Sequence, residues 1–358
     1  MADKQKNNEV HKNSFFLRQR VKLGTMLLVL SCFVYLIYLA SNQFYAAEKS
    51  PQLYPNLPQQ NIQFGHGAVK VNTGIYIKEF TEFDTQTNTF AIDAVVWFEF
   101  NPNLITLYTL GGFAFDPGEI IEKSPPQTRL IKGKIFAAFN TRVRFSSHLR
   151  HEHFPFADHR IFLRLKLDAA SPENLHFETK RSFIKISKSV QPFGWTLKSY
   201  EGQAGFFEET LSGKGKNKTI KHPQVIFSFD FAKPGLRKVL IILGPGLLLF
   251  LLGLMALIIR TEWHGKHIRS EAPIDIAIGS LIGLLFLRLV IETVSPDIGY
   301  FVFADQMYLI FFLSTFIILF VTIYEYNKAM PRALKATIFY SIQFIVLFFF
   351  YWFMRRIL

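Results

Sequence analysis

The chain is expected to fold as two unlike parts: an all-β sandwich, immunoglobulin-like and antiparallel, and an α-helical four-helix transmembrane bundle, with one extra N-terminal transmembrane helix. Three observations predict this. Long uncharged apolar runs fill the C-terminal third, and each approaches the length needed to cross a bilayer. Residues 46–232 instead alternate apolar and polar positions with the period of strands. A basic segment and a further apolar run precede both.

The order of parts is read as residues 1–22, a cytoplasmic basic tail; 23–45, a transmembrane anchor or signal segment; 46–232, the sandwich; and 233–358, the helical domain. Lys4, Lys6, Lys12, Arg18, Arg20 and Lys22 stand ahead of the first apolar run and place it with its start in the cytoplasm. A basic start followed by an apolar run also fits a cleaved signal peptide. An uncleaved anchor is favoured, because the run is longer than a usual signal core and Phe44 and Tyr45 before Ala46 make a poor small-residue cleavage site.

The exported part opens on a Pro/Gln/Asn-rich linker, residues 51–61. Alternation then places Val69, Val71, Ile75 and Ile77 on one face of an extended run, and Phe90, Ile92, Ala94, Val96, Phe98 and Phe100 on one face of another. It returns at Ile161, Leu163, Leu165 and Leu167, and at Val225, Phe227, Phe229 and Phe231. Many short strands with irregular loops predict a sandwich. Residues 111–118 read as turn-rich, and the Lys/Gly/Asn run at 213–221 reads as a mobile hairpin tip.

Four apolar segments follow, at 239–259, 274–294, 307–324 and 337–354. Basic residues mark the loops after the second and fourth of the five spans: Arg260, Lys266 and Arg269, then Lys328, Arg332 and Lys335. The loop between the third and fourth has Asp297 and Asp305 and no basic residue. All three loops agree with a cytoplasmic N-terminus and an exported sandwich. The net charge of +13, which in a soluble protein would point to nucleic acid, is thereby explained by membrane topology, and no nucleic-acid partner is expected.

Residues 271–296 form the most informative segment. At spacings of four and three, one helical face carries Glu271, Asp275, Gly279, Ile282, Phe286 and Leu289. Carboxylates in a span face a bundle interior or a water-filled path rather than lipid. Acidic rings select cations, and rings of bulky apolar side chains close a pore by excluding water. The stripe therefore reads as a pore lining. The alternative for Asp275 is a cap at the helix start, where negative charge suits the macrodipole. Arg288 lies off the stripe, free to pair with Glu292 one turn on or with another helix.

Other chemistry is thinly marked. His148, His151, His153 and His159 crowd one segment without finger or helical spacing. They read as a solvated loop that titrates near neutrality rather than as a metal site. No nucleophile elbow, phosphate-binding glycine loop or paired catalytic carboxylate occurs, so neither catalysis nor a cofactor is expected. Cys32, the single cysteine, excludes an intrachain disulfide. Trp195, Tyr200, Phe206 and Phe207 form an aromatic group able to meet a cationic ligand, or else sandwich core.

One exported sandwich feeding four closely spaced helices, the second polar-lined, resembles the pentameric ligand-gated ion channels, the Cys-loop receptor superfamily. It is most similar to their prokaryotic members that lack the disulfide. The resemblance runs from about Val69 to Phe353 and is sharpest from Glu271-Ala272 through Ile291-Glu292-Thr293 to Pro296, followed by Tyr300. Pro245 and the corner Phe154-Pro155-Phe156 add to it. It implies acidic rings at Glu271 and Asp275 and an apolar gate at Ile282, Phe286 and Leu289. It also implies that Phe154, Pro155, Phe156, Asp158 and Lys233 couple the two domains. Ala157 and Lys233 stand where the family usually has an acidic residue and an arginine; Asp158 is then the carboxylate available to pair with Lys233 or Arg237. Pro234, the loop 260–270 and the extra span also depart from the pattern.

The expected function is a ligand- or proton-gated, cation-preferring pentameric channel. It would pass monovalent cations, sit among membrane lipid in a bacterial cell membrane, and respond to an unidentified small molecule or to protons. The alternative is a non-conducting, membrane-anchored sensor or scaffold on a degenerate channel fold.

Overall fold

The computed structural model describes residues 2–41, 43–44, 46–56, 68–156, 158–187, 192, 194–213, 216–233, 237–259, 262–263, 266–267, 270–295 and 298–357. Side chains within 2–18, 211–218, 237–238 and 260–269, and those of 41, 332, 356 and 357, are not described. The chain divides into two units, one of residues 46–150 and 158–234, the other of residues 1–45, 151–157 and 235–358.

The first unit packs two sheets face to face. The larger has seven strands, in the order β4-β6-β2-β1-β8, with β5 on β6 and β9 on β1. Its members are β1 (Val69–Asp84), β2 (Thr89–Phe100), β4 (Gly118–Lys123), β5 (Gln127–Ile131), β6 (Lys134–Ser146), β8 (Leu175–Glu178) and β9 (Ile184–Ile186). The smaller, in the order β10-β11-β7-β3, joins β10 (Thr196–Gly213), β11 (Lys216–Ala232), β7 (His159–Lys166) and β3 (Ala114–Phe115). A short helix, α2 (Leu107–Gly111), is started by the Thr106 hydroxyl, which accepts the Thr109 N–H.

Alternation and burial coincide. Phe90, Ile92, Ala94, Val96, Phe98 and Phe100 all turn inward on β2, and Val225, Phe227, Phe229 and Phe231 do so on β11. Each fully buried Phe or Ile contributes about 1.5–3 kcal/mol by leaving water. Rings then interlock: Phe83 lies within 5.4 Å of Phe90, Phe231 and Trp195.

Two features differ from the expected antiparallel sandwich. The larger sheet is mixed, because β1 pairs in parallel with both β8 and β9; parallel neighbours need a long crossover that local alternation does not record. The expected hairpin tip is also largely strand: β10 and β11 pair from Thr196↔Ala232 to Gly213↔Lys216, with Pro223 opposite Phe206. Residues 214–215, at the turn, lie outside the described residues.

In the second unit, five helices are long and apolar enough to cross a membrane. They are α1 (Ala2–Ser41), α3 (Arg237–Ala256), α4 (Ala272–Val294), α5 (Phe303–Asn327) and α6 (Arg332–Ile357). Each spans or exceeds about 20 residues, the bilayer requirement. Helix α3 contains Pro245, which removes one helical N–H. Between α3 and α4 the loop read as extended holds a small hairpin, β12 (Glu262–Trp263) with β13 (Lys266–His267).

Helices α3, α4 and α5 pack mutually, and α1 lies against α6 and α3. Gly283 permits the α3–α4 approach, since a Cβ there would sit 2.7 Å from Leu249 Cδ2. The extra helix α1 is part of this core: Met26, Val29, Phe33, Ile37 and Ala40 are buried along one stripe, and Phe33 stacks on Phe350 with ring centroids 4.0 Å apart. Cys32 is half-buried.

Candidate pore-lining helix and coupling segment

Helix α4 is two-faced. Pro273, Ala277, Ser280, Leu284, Leu287 and Ile291 are buried against the other helices. Glu271, Asp275, Gly279, Ile282, Phe286 and Leu289 are all exposed on the single chain; Phe286, at 66 %, is the most open of the apolar ones. The spacing of four and three that picks out the stripe thus also separates it from the packed face.

Exposed apolar residues occur on every spanning helix, so exposure alone marks no pore. Carboxylates do distinguish α4. Glu271 is the N-cap residue and makes no side-chain capping bond. Asp275 lies in the first turn and, among the described residues, forms no ion pair or capping hydrogen bond. The two carboxylates remain available to anything that shares their face. Pro273 suits the first turn, where the missing N–H has no intrahelical partner.

Arg288 is held on the flank of that face by two partners. Its guanidinium bonds the Asp305 carboxylate of α5 and lies 3.4 Å from Glu292 Oε1. Asp305 in turn accepts the Val302 N–H at 3.1 Å, the reciprocal half of a helix N-cap. Arg288 also covers the ring of Tyr308, 5.9 Å from its centroid. At the other end of α5, buried Glu325 takes the Lys335 ammonium, with its two oxygens 2.8 and 2.7 Å from Nζ. The Ile259 carbonyl accepts a further bond from that ammonium.

Phe154, Pro155 and Phe156 are buried, and both phenylalanines belong to the helical core. Segment 151–157 supplies what the start of α5 lacks. The Glu152 and Phe154 carbonyls accept the N–H groups of Phe303 and Ala304 at 3.0 and 3.1 Å, two of the orphan donors of a helix N-terminus. The Phe156 and Phe303 rings lie 5.8 Å apart, and the Tyr300 hydroxyl accepts the His151 N–H at 2.9 Å. Signals capable of exposing this contact were weak: a Phe-Pro-Phe corner shows hydrophobicity and not its destination.

In the sandwich unit, Asp158 accepts the backbone N–H of Lys233 at 3.2 Å, while the Lys233 ammonium lies 5.0 Å above the Trp195 ring. Ala157, Pro234 and Pro296 lie outside the described residues, as does the side chain of Arg237.

The four aromatics named from sequence are dispersed. Trp195 is buried beside Phe83 and His159, Tyr200 is covered by Arg181, and Phe206 stacks on Tyr54. Phe207 points to the other face from its neighbour, as strand geometry requires. Along β10, Tyr200 and Phe206 are about 20 Å apart, and Trp195 stands before the strand begins. No described contact joins them. The histidines likewise have separate settings: His148 exposed, His151 buried, His153 half-buried and His159 buried against Glu48. Among the described residues no group of three or more His, Cys, Asp or Glu could hold a metal ion.

A polar depression of about 330 Å³ on the larger sheet went unread in the sequence. It is lined by Lys78, Asp93, Glu122, Lys123, Asn140 and Arg142, among others. Arg142 grips both oxygens of Asp93, at 2.8 and 3.1 Å, and this holds the Asp93 carboxyl below the usual range. Burial lowers Lys123, whose ammonium lies 3.9 Å over the Phe113 ring. These charges sit at the polar positions of otherwise apolar alternation, which is the signal that could have found them.

No protein-family model matches the chain, and no curated protein matches it.

Proposed function

We propose that the chain is a subunit of a cation-preferring channel in which copies arranged about an axis line a pore with α4, opened by a small molecule or by protons acting on the sandwich. The single observation that carries this reading is Asp275, exposed and without an ion-pair partner among the described residues, on a helix long and apolar enough to span whose opposite face is packed. Such a carboxylate is costly against lipid and favourable against a hydrated cation path. One copy cannot enclose an axis, so cyclic symmetry follows, and the family resemblance sets the expected number at five. Ile282, Phe286 and Leu289 then form the constriction.

The basic flanks orient the N-terminus to the cytoplasm and the sandwich outside a bacterial cell membrane. The segment 151–157 is proposed as the coupling element: in sequence it interrupts the sandwich unit, and within the helical unit its carbonyls accept the first N–H groups of α5, the helix beside α4. Asp158 and Lys233 are proposed to support it from within the sandwich unit.

Reconstituted protein should carry a cation-preferring current, and Asp275→Lys or Glu271→Lys should reduce or invert the preference. Selectivity indifferent to both changes would sink the pore assignment. A mass measurement in detergent that found a monomer or dimer would remove the ring and leave a non-conducting sensor.

A further inference from the structure

Residues 46–56 belong to the sandwich unit but to none of its regular strands. Instead they are seated on it at two points. The Glu48 side chain is 1 % exposed. Its Oε1 lies 2.7 Å from His159 Nδ1 and accepts the Arg150 N–H at 3.1 Å, and its Oε2 accepts the Arg160 N–H at 3.0 Å. Ala46 forms a parallel bridge with Asp158. A buried carboxylate with several charge-assisted donors is a specific seat.

The second point is six residues on. Tyr54 and Phe206 exchange two backbone hydrogen bonds, each 2.9 Å, as an added antiparallel strand would on β10, an edge of the smaller sheet. Their rings stack with centroids 5.5 Å apart. The Gln52 amide donates to the Tyr54 hydroxyl at 2.7 Å, and the Asn56 amide donates to the Phe177 carbonyl at 3.2 Å. Gly205 makes the seat fit: a Cβ there would collide with the Tyr54 carbonyl oxygen and the Leu53 side chain. A strand edge that fixes the backbone and a pocket that reads one side chain are the two parts of peptide recognition by strand addition.

We infer that residues 46–56 are a peptide ligand docked in cis in a groove of the sandwich, and that the docked peptide restrains the β10–β11 hairpin. The ligand class is an extended peptide with a carboxylate six residues before an aromatic ring. Only residues 57–68 separate the segment in sequence from β1 of the same unit, so its effective concentration is high and the groove stays filled. Without it, β10 would present an open edge. The groove lies wholly within the sandwich unit and does not rest on the pore reading.

The test uses the full chain in detergent and a fluorescent peptide of residues 46–56. Wild type, its groove filled, should bind little peptide, whereas Glu48→Gln/Tyr54→Ala should bind it at least about tenfold more tightly. Amide exchange at Phe206 should rise by about tenfold or more in that variant and fall back when peptide saturates it. A vacated variant that keeps its cooperative melt yet binds no more peptide than wild type would overturn the inference. So would wild-type exchange at Phe206. Gly205→Ala serves if the double variant fails to fold: Tyr54 exchange should rise while that of Leu163 holds, and an unchanged Tyr54 rate overturns the docking.

Discussion

Helices α4 and α5 are neighbours of similar length and apolarity, yet they treat their carboxylates in opposite ways. On α5, Asp305 and Glu325 are buried, and each meets a cation from another helix, Arg288 and Lys335. On α4, Asp275 is exposed and meets none among the described residues. A paired, buried carboxylate fixes helix against helix; an exposed one in a span contributes nothing to that packing and needs a reason outside the single chain. The comparison therefore separates residues that hold the bundle from residues offered to something else.

The sharpest way to break the comparison is Glu325→Gln. It leaves the Lys335 ammonium, 11 % exposed, without its counter-charge, and breaking a buried pair costs about 3–5 kcal/mol. A chemical or thermal melt of the detergent-solubilised protein should show that loss. Glu325→Leu with Lys335→Met should recover most of it, because removing both charges also removes their desolvation penalty. Failure of the double change to recover stability would mean that the pair acts through packing alone.

Asp305→Ala should come next, at about 2 kcal/mol, from losing an N-terminal capping acceptor and a charged hydrogen bond together. The half-exposed guanidinium of Arg288 keeps this below the Glu325 effect. Arg288→Gln should cost less than Asp305→Ala in the same melt, because Asp305 still accepts the Val302 N–H.

These residues also show what the sequence could express. Alternation depends on neighbours two apart, so the inward faces of β1, β2, β7 and β11 were legible, and the α4 stripe was legible from its three-and-four spacing. Pairings made across the fold were not. Nothing local announces that β1 takes parallel partners, or that Phe154 enters the helical core. Arg288 was assigned either Glu292 or another helix and has both. Asp158 was read toward Lys233 or Arg237; the described bond is to the Lys233 backbone N–H, a donor every residue but proline carries, so no side-chain pattern could announce it. Glu48 stood just ahead of the linker read at 51–61, where one carboxylate carries no pattern.

Glu48 extends the comparison into the sandwich. Burial alone would raise its carboxyl, but the His159 bond and charge and the Arg160 and Arg150 N–H groups outweigh that and hold it below the ordinary range. Arg160 in turn binds Asp230, at 2.5 and 3.0 Å. A depressed native value means that Glu48 stabilises the fold above the unfolded carboxylate value and ceases to as pH falls through the native one. Between about pH 7 and pH 3, wild type should therefore lose more melting temperature than Glu48→Gln. Parallel curves would show that the pair contributes no pH-dependent stability.

The smallest expected effect on stability is the most informative. Asp275→Asn removes a charge from an exposed site with no described partner, and such changes stay within about 0.5 kcal/mol. If Asp275 instead served as a cap for α4, its interaction with the helix dipole would be worth about 0.3–1 kcal/mol, screened by salt. Melts at low and high salt separate the two: a capping role gives a loss that shrinks as salt rises, and a pore role gives none at either. Cation preference in reconstituted membranes reads the other half. A variant unchanged in stability but altered in selectivity places Asp275 on the ion path, since no other property of that side chain has been disturbed. A variant altered in stability and unchanged in selectivity returns Asp275 to the same class as Asp305, and the contrast between the two helices disappears.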